Sequence, residues 1–269
     1  MASNLMERTA ADVIRDALGN EEGSPLVVAP DAPTIEALVE VLNENSQPVR
    51  LLADADTLKR VMDDFLVAGR TADHIEAGRL EIRADADGAN TLLITEDAVV
   101  AIVHGDEHAA GLTTDNDEFA RDVGERFETV WESAEPYTPR TPSLVRTRET
   151  LEAELGPATA ADFDAALSSL DTADGPEGTF DEVTVSILVA AKNEDLLYDI
   201  SKWGEDVGIA SKATFSRTKT RMEDSGLIET EKVPIDVGRP RLRLKLATDE
   251  LRDADADELL EVAGSTVDT

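Results

Sequence analysis

The chain contains no cysteine, so disulfides and thiolate-held metals are excluded from the start. No apolar run approaches the roughly 20 residues that a membrane-spanning helix needs. The opening stretch, MASNLMERTAADVIRDAL, has acids in an amphipathic pattern over 5–18 and not the basic-then-apolar order of an export signal. A soluble cytoplasmic protein is expected. Neither of the glycine-rich phosphate loops, Gly-x-x-x-x-Gly-Lys or Gly-x-Gly-x-x-Gly, occurs. Lysine is scarce as well: only 7 of the 25 basic residues are lysine, six of them between Lys192 and Lys245.

Acid is what the chain has in excess. Asp and Glu number 58 of 269 residues, for a net charge of −33, and they spread along the whole length. Disorder does not fit 41% hydrophobic residues in clear periodic patterns. Even acid coverage, with arginine in place of lysine, matches proteins that must stay hydrated in molar salt. That reading concerns habitat and not function.

The first part alternates short apolar runs with helical spacing. PLVVA (25–29) and VRLLA (49–53) read as buried strands. Thr34–Leu42 and Thr57–Val67 carry apolar residues at helical intervals. RLEIRA (79–84), a hairpin turn at Asp87-Gly88, TLLIT (91–95) and AVVAIV (98–103) continue as strands, and Asp117–Trp131 closes as a helix. An α/β domain with a mixed sheet is expected over 1–134. Pro136, Pro139 and Pro142 then mark 135–148 as a linker. Helices fill most of 149–225, a hairpin follows to 247, and 248–269 reads as an acidic tail with a helix over 255–262.

Within that second part, 194–207 is a one-sided helix stopped by Gly208. Ser211 is a good N-cap for a second helix that ends at Ser225-Gly226. Helix, short glycine-bearing turn and helix is the helix-turn-helix pattern. At 100° per residue, Phe215, Thr218 and Met222 point inward. Ala213, Ser216, Arg217 and Thr220 point outward with Arg221 at one edge, and Lys212 and Lys219 flank them. Small and hydroxyl residues let a backbone approach base edges, and Arg217 can pair with guanine in a bidentate manner. The flanking cations suit phosphates. Thr214 joins the set from the first turn. A solvated face of a helical bundle is the plain alternative.

The hairpin weighs against that alternative. Its second strand reads RLRLKL, with Arg241, Arg243 and Lys245 on one face and leucines on the other. Arg239 sits in the turn between Gly238 and Pro240. A wing of this kind can place an arginine in a minor groove. Residues 211–245 hold nine basic and five acidic residues, while the other 234 hold 16 basic and 53 acidic. A cationic surface in such a chain asks for a partner, and double-stranded DNA fits helix plus wing. The expected DNA-binding residues are Lys212, Ala213, Thr214, Ser216, Arg217, Lys219, Thr220, Arg221, Arg239, Arg241 and Arg243.

SKATFSRTKTRMEDSGLIE (211–229) followed by VGRPRLRLKLA (237–247) resembles the winged-helix domains of archaeal transcription regulators. LLITEDAVVAIVHG (92–105) and DEFARDVGERFETVWESAEP (117–136) are similar to the effector domains of TrmB-like sugar-responsive regulators. With its acidity and domain order, the chain resembles haloarchaeal regulators of the TbsP type. The resemblance implies a phospholipase D-like α/β fold in front and a C-terminal winged helix-turn-helix. It also implies a homodimer on promoter DNA controlling sugar or central carbon metabolism. Two departures stand out: Lys219 occupies a position where such helices bury an aliphatic residue, and the sensor precedes the DNA-binding domain. A protein partner docked on the winged helix is the competing reading.

An enzyme is not expected, and no catalytic residue or cofactor is assigned. None of His74, His104 and His108 has a lysine two residues on, as a phospholipase-type site requires. HGDEH (104–108) offers two imidazoles and two carboxylates, but a strand running into a turn does not converge them, so no metal is assigned. ADADG (84–88) holds Asp85 and Asp87 in a pattern like the start of a calcium loop, but it is read as the hairpin turn. Small ligands of open α/β sheets bind beyond the carboxyl ends of the strands. There Asp31, Thr34, Asp54 and Thr57 could take a sugar or sugar phosphate at two helix N-termini, or serve only as helix caps.

Overall fold

The computed structural model describes residues 5–7, 9–19, 23–85, 90–105, 108–114, 116–170, 180–236 and 238–267. Contacts divide the chain into two compact units, Met1–Ser143 and Leu144–Thr269.

The front unit begins with β1 (Leu5–Glu7), α1 (Ala10–Leu18), β2 (Leu26–Val28), α2 (Ala32–Glu44) and β3 (Val49–Ala53). Then come α3 (Ala55–Val61), α4 (Phe65–Glu76), β4 (Leu80–Ala84), β5 (Thr91–Ile94), β6 (Val99–His104), β7 (Ala109–Thr114), α5 (Asp117–Ser133) and β8 (Glu135–Pro136). One sheet orders these strands β1-β7-β6-β5-β2-β3-β4-β8. The three strands β2, β3 and β4 are parallel and the other pairings antiparallel, so the sheet is mixed, as expected.

The central strands are buried on both faces, which is why they read as continuous apolar runs. Val27, Leu51 and Ile82 pack with α1, α2 and α3 on one face. Leu26, Val28 and Leu52 pack on the other face beneath Ala120, Phe127 and Trp131 of α5. The guanidiniums of Arg50 and Arg83 both stack on the Trp131 ring, 5.3 and 4.9 Å from its centroid.

Several expectations need correction here. The first three residues of the expected helix over 5–18 form β1, which extends the sheet edge by pairing with β7. The expected helix over 57–67 is two helices. Asp64 caps a new one by accepting the Val67 N–H at 2.9 Å, so the chain turns after Val61. β7 is an addition to the expected strands: Ala109-Ala110-Gly111 are poor strand formers, and Thr113 and Thr114 are its β-branched residues. The Asp87-Gly88 turn lies outside the described residues. The front unit also runs past residue 134. Glu135 and Pro136 pair with Ala84 and Arg83, and the Tyr137 N–H donates to Ile82 O at 2.9 Å. The proline-rich segment thus begins as an edge strand, a position proline tolerates.

The second unit comprises α6 (Leu144–Leu155), α7 (Pro157–Leu170), α8 (Glu182–Lys192), α9 (Leu197–Val207) and α10 (Lys212–Asp224). It ends with β9 (Ile228–Val233), β10 (Arg241–Leu246), α11 (Asp249–Asp253) and α12 (Leu259–Val267). Helix α8 is buried from Val183 to Ala191 and is the core around which the others pack, which explains its all-round apolar sequence. Trp203 of α9 meets Phe163 of α7 edge-on at 6.1 Å, and its ring N–H donates to Thr150 at 3.1 Å. The acidic tail is part of the unit: Leu259, Leu260 and Ala263 are buried and α12 packs on α7.

Candidate nucleic-acid interface

Helices α9 and α10 form the expected helix-turn-helix, and glycine sets their approach. A Cβ on Gly204 would lie 2.4 Å from the ring of Phe215, so only glycine lets α10 settle on α9. Gly208 takes φ 100°, the left-handed conformation that ends α9. The N–H groups of Gly208, Ile209 and Ala210 converge on the Gly204 carbonyl at 3.2, 2.8 and 3.3 Å. Ser211 then caps α10 by accepting the Thr214 N–H at 3.2 Å.

The inward arc of α10 is as expected: Phe215, Thr218 and Met222 are buried. Lys212, Ala213, Ser216, Arg217, Thr220 and Arg221 are exposed. Thr214 is half-buried and accepts a bond from Arg217 Nη2 at 3.3 Å, which steadies the guanidinium. Lys219 lies off this face. Only 13% of its side chain is exposed, and its Nζ is 2.6 Å from Glu223. Glu223 also accepts the Thr230 hydroxyl at 2.7 Å, so Lys219 and Glu223 tie α10 to β9. A cation fits a usually aliphatic position because its charge is met beside it.

The hairpin stands next to this helix. β9 and β10 pair antiparallel from Ile228↔Leu246 to Val233↔Arg241. Asp195 and Leu196 add to the edge of β10: the Leu244 N–H donates to Asp195 O at 2.9 Å, and Leu196 bridges Arg243. Helix α9 therefore starts at Leu197 and not at Glu194, where φ is 54°. Leu244 and Leu246 face the core.

The expected wholly cationic outer face of β10 is not what the register gives. Arg243 stands opposite Glu231 and Lys245 opposite Glu229, so carboxylates interleave with the cations. Lys245 reaches Glu231 at 2.8 Å, and each holds the other charged: the lysine pKa is raised and the glutamate pKa lowered by their hydrogen bond. Arg241 stacks on the ring of Tyr198 at 4.2 Å and pairs with Asp199 at 3.3 Å. The Nε of Arg243 is buried with no partner among the described residues.

Helix and wing enclose a groove of about 430 Å³, lined by Tyr198, Lys212, Ser216, Arg239 and Arg241 among others. Its cations are not equally available. Lys212 is paired with Glu205 at 2.7 Å and Arg221 lies 3.6 Å from Asp181. Among the described residues, Arg217 and Arg239 have no carboxylate partner. One lies on the helix and the other beside the wing turn, whose Val237 is outside the described residues.

The four ligand candidates of the front unit all take part in helix capping. Asp31 accepts the Thr34 N–H at 3.1 Å and Asp54 accepts the Thr57 N–H at 2.8 Å. The N–H bond from Thr57 holds the Asp54 pKa low. Sequence reasoning missed that His104 joins the first pair: its Nε2 is 2.9 Å from Thr34 Oγ1 and 3.6 Å from Asp31. Thr34 and His104 are 70 positions apart, and nothing in the intervening sequence signals that contact. Among the described residues no group of three or more His, Asp or Glu side chains is placed to hold a metal. Nor is any helix there long and apolar enough to cross a membrane.

The family of TbsP-like transcriptional regulators accounts for both units. Its N-terminal domain matches residues 2–142, and its C-terminal HTH domain matches residues 143–264. The chain belongs to that family. The two family domains meet where the two compact units do, within a residue of Ser143. Among solved structures, TrmBL2, described as an archaeal chromatin protein with a novel mode of DNA binding, is 15% identical at a TM-score of 0.37. The match covers 51% of this chain and 55% of that one, so the chain spans about half of its relative's length. Nuc, a phospholipase D family member from Salmonella typhimurium, is 13% identical at a TM-score of 0.37, over 51% of this chain and 98% of that one. At those scores neither likeness bears on the fold or function of this TbsP-like chain. No curated protein matches it.

Proposed function

We propose that this TbsP-like regulator binds promoter DNA in a sequence-specific manner as a homodimer, with α10 in a major groove and the hairpin beside it. The observation that carries the reading is the exposed arc Ala213, Ser216, Arg217 and Thr220, continued across the groove by Arg239 and Arg241. Small side chains permit close approach to base edges, and Arg217 donates to guanine. Arg239 suits a narrow minor groove or its flanking phosphates. Lys212 and Arg221 position the backbone. Lys219 belongs to the support of α10 and not to the contact set.

In molar salt the Debye length is about 3 Å, and counterion release adds much less affinity than in dilute buffer. Direct reading therefore dominates, which suits a surface whose other cations are largely paired. The even acidity supports a halophilic archaeal source, and the TrmB-like resemblance supports target genes of sugar or central carbon metabolism. The front unit would sense a metabolite. A groove of about 400 Å³ lined by Ser24, Arg50, Thr95, Arg121 and Glu128 is a place for one, and it avoids the capping residues Asp31, Thr34, Asp54 and Thr57.

Chromatin immunoprecipitation with sequencing at native salt, in sugar-rich and sugar-poor cells, tests this reading. The expected result is a set of discrete promoter sites with paired half-sites and occupancy that follows carbon source. A flat profile without preferred sites overturns it.

A further inference from the structure

Helix α5 packs on its face of the sheet over β2, β3, β5 and the start of β6. Val99, Ala101 and Val103 of β6 point to that face with Leu112 of β7, since Ala101 pairs directly with Leu112. Val99 packs beneath α5. Beyond it Val103 is 48% exposed, Leu112 49%, and Phe119 on the first turn of α5 51%. These are three of the six exposed large hydrophobic side chains among the described residues. A groove of about 810 Å³ lies here, lined by Leu92, Ala101 and Leu112 of the sheet and by Phe119 and Phe127 of α5. Among the described residues its one charged lining residue is Arg126, whose guanidinium lies 5.2 Å from the Phe127 ring.

We propose that this face is the self-association surface of the protein, occupied by the same face of a second copy across a two-fold axis. It rests on the dimeric DNA-binding reading and supplies the surface that reading lacks. Charge selects the occupant. A body of net charge −33 that met its copy through most of its surface would set carboxylate against carboxylate. Among the described residues this face has no acid in its lining, and Arg126 is its one charged side chain. A two-fold contact is self-complementary, so one apolar patch serves both copies. Salts excluded from protein surfaces strengthen apolar burial while screening the remaining repulsion, so the dimer belongs to high salt.

Light scattering of the full chain at molar salt reads the state directly. The expected mass is twice the 28.9 kDa of one chain, falling to 28.9 kDa for Leu112→Asp and Phe119→Asp. Circular dichroism checks that each variant is folded. A second test needs no disruptive change: because the chain lacks cysteine, Leu112→Cys places a single thiol on the face. A short bis-maleimide should link it into dimers, and should leave Thr129→Cys, elsewhere on α5, largely unlinked. A monomeric wild type, folded Asp variants that stay dimeric, or Leu112→Cys that does not link overturns the proposal. The DNA reading fails separately, if wild type has no preferred site. If both stand, Leu112→Asp shrinks the footprint to one half-site.

Discussion

Glu205 of α9 holds Lys212 of α10 twice: its Oε2 is 2.7 Å from Nζ, and its Oε1 accepts the Lys212 backbone N–H at 3.3 Å. The carboxylate therefore sits at the N-terminus of α10, where a DNA phosphate would otherwise dock. The hydrogen bond to Lys212 lowers the Glu205 pKa, and the same bond raises that of Lys212. Glu205→Gln should raise affinity for random duplex and steepen the slope of log K against log salt by about 0.9, one more phosphate contact. Fluorescence anisotropy at several salt concentrations measures both. An unchanged slope and affinity would mean that Lys212 faces DNA equally well with Glu205 in place.

Arg217 is the helix cation left without a carboxylate. Replacing it by alanine should cost about 1–3 kcal/mol on the operator and relax the preference at one base pair, with little effect on random DNA. Binding to an operator library, scored position by position, gives the answer. Equal weakening on specific and random DNA would assign Arg217 to phosphates.

Gly204 carries the α9–α10 contact. Gly204→Ala drives a methyl into the Phe215 ring, which is fully buried and cannot swing away. Overpacking of this kind costs about 1–3 kcal/mol, and operator affinity should fall because α10 shifts. Gly124→Ala is the control: its Cβ meets nothing within 4 Å, and alanine is the better helix former. A thermal melt that ranks the two the other way would show that α10 yields freely.

His74 makes the front unit sensitive to acid. It is buried, donates from Nε2 to Val39 O at 3.0 Å, and accepts at Nδ1 from the Arg79 guanidinium at 2.9 Å. Desolvation lowers its pKa below the ordinary 6.5, and the nearby Arg79 and Arg70 add to that effect. The unfolded chain then binds the proton first as pH falls below 6.5. Stability should therefore drop from that point down to the folded-state pKa, where the loss is complete. Denaturant midpoints between pH 7.5 and 5 should show a loss that His74→Gln reduces. Equal pH slopes for both proteins would remove His74 as the cause.

Much of this was legible in the residues themselves. Asp31, Asp54, Asp181 and Ser211 cap helices by bonds to an N–H three residues on, and that chemistry is local. The arc of Phe215, Thr218 and Met222 follows from helical geometry, and the strand VRLLA from its burial on both faces. The break at Asp64 was missed because the apolar spacing carries on through it.

The tertiary structure alone decided which cations remain for a partner. RLRLKL reads as a cationic face, yet its register brings in Glu229 and Glu231 from β9, and Asp199 from α9 takes Arg241. Glu205, seven residues before Lys212, reaches it only because the turn at Gly208 folds α10 back against α9. Ion pairs of this kind join elements whose separation along the chain is unrelated to their separation in space. Sequence determined the caps, the inward arc of α10 and the family; packing decided that Arg217 and Arg239 stay unpaired and that Val103 and Leu112 stay exposed on one sheet face.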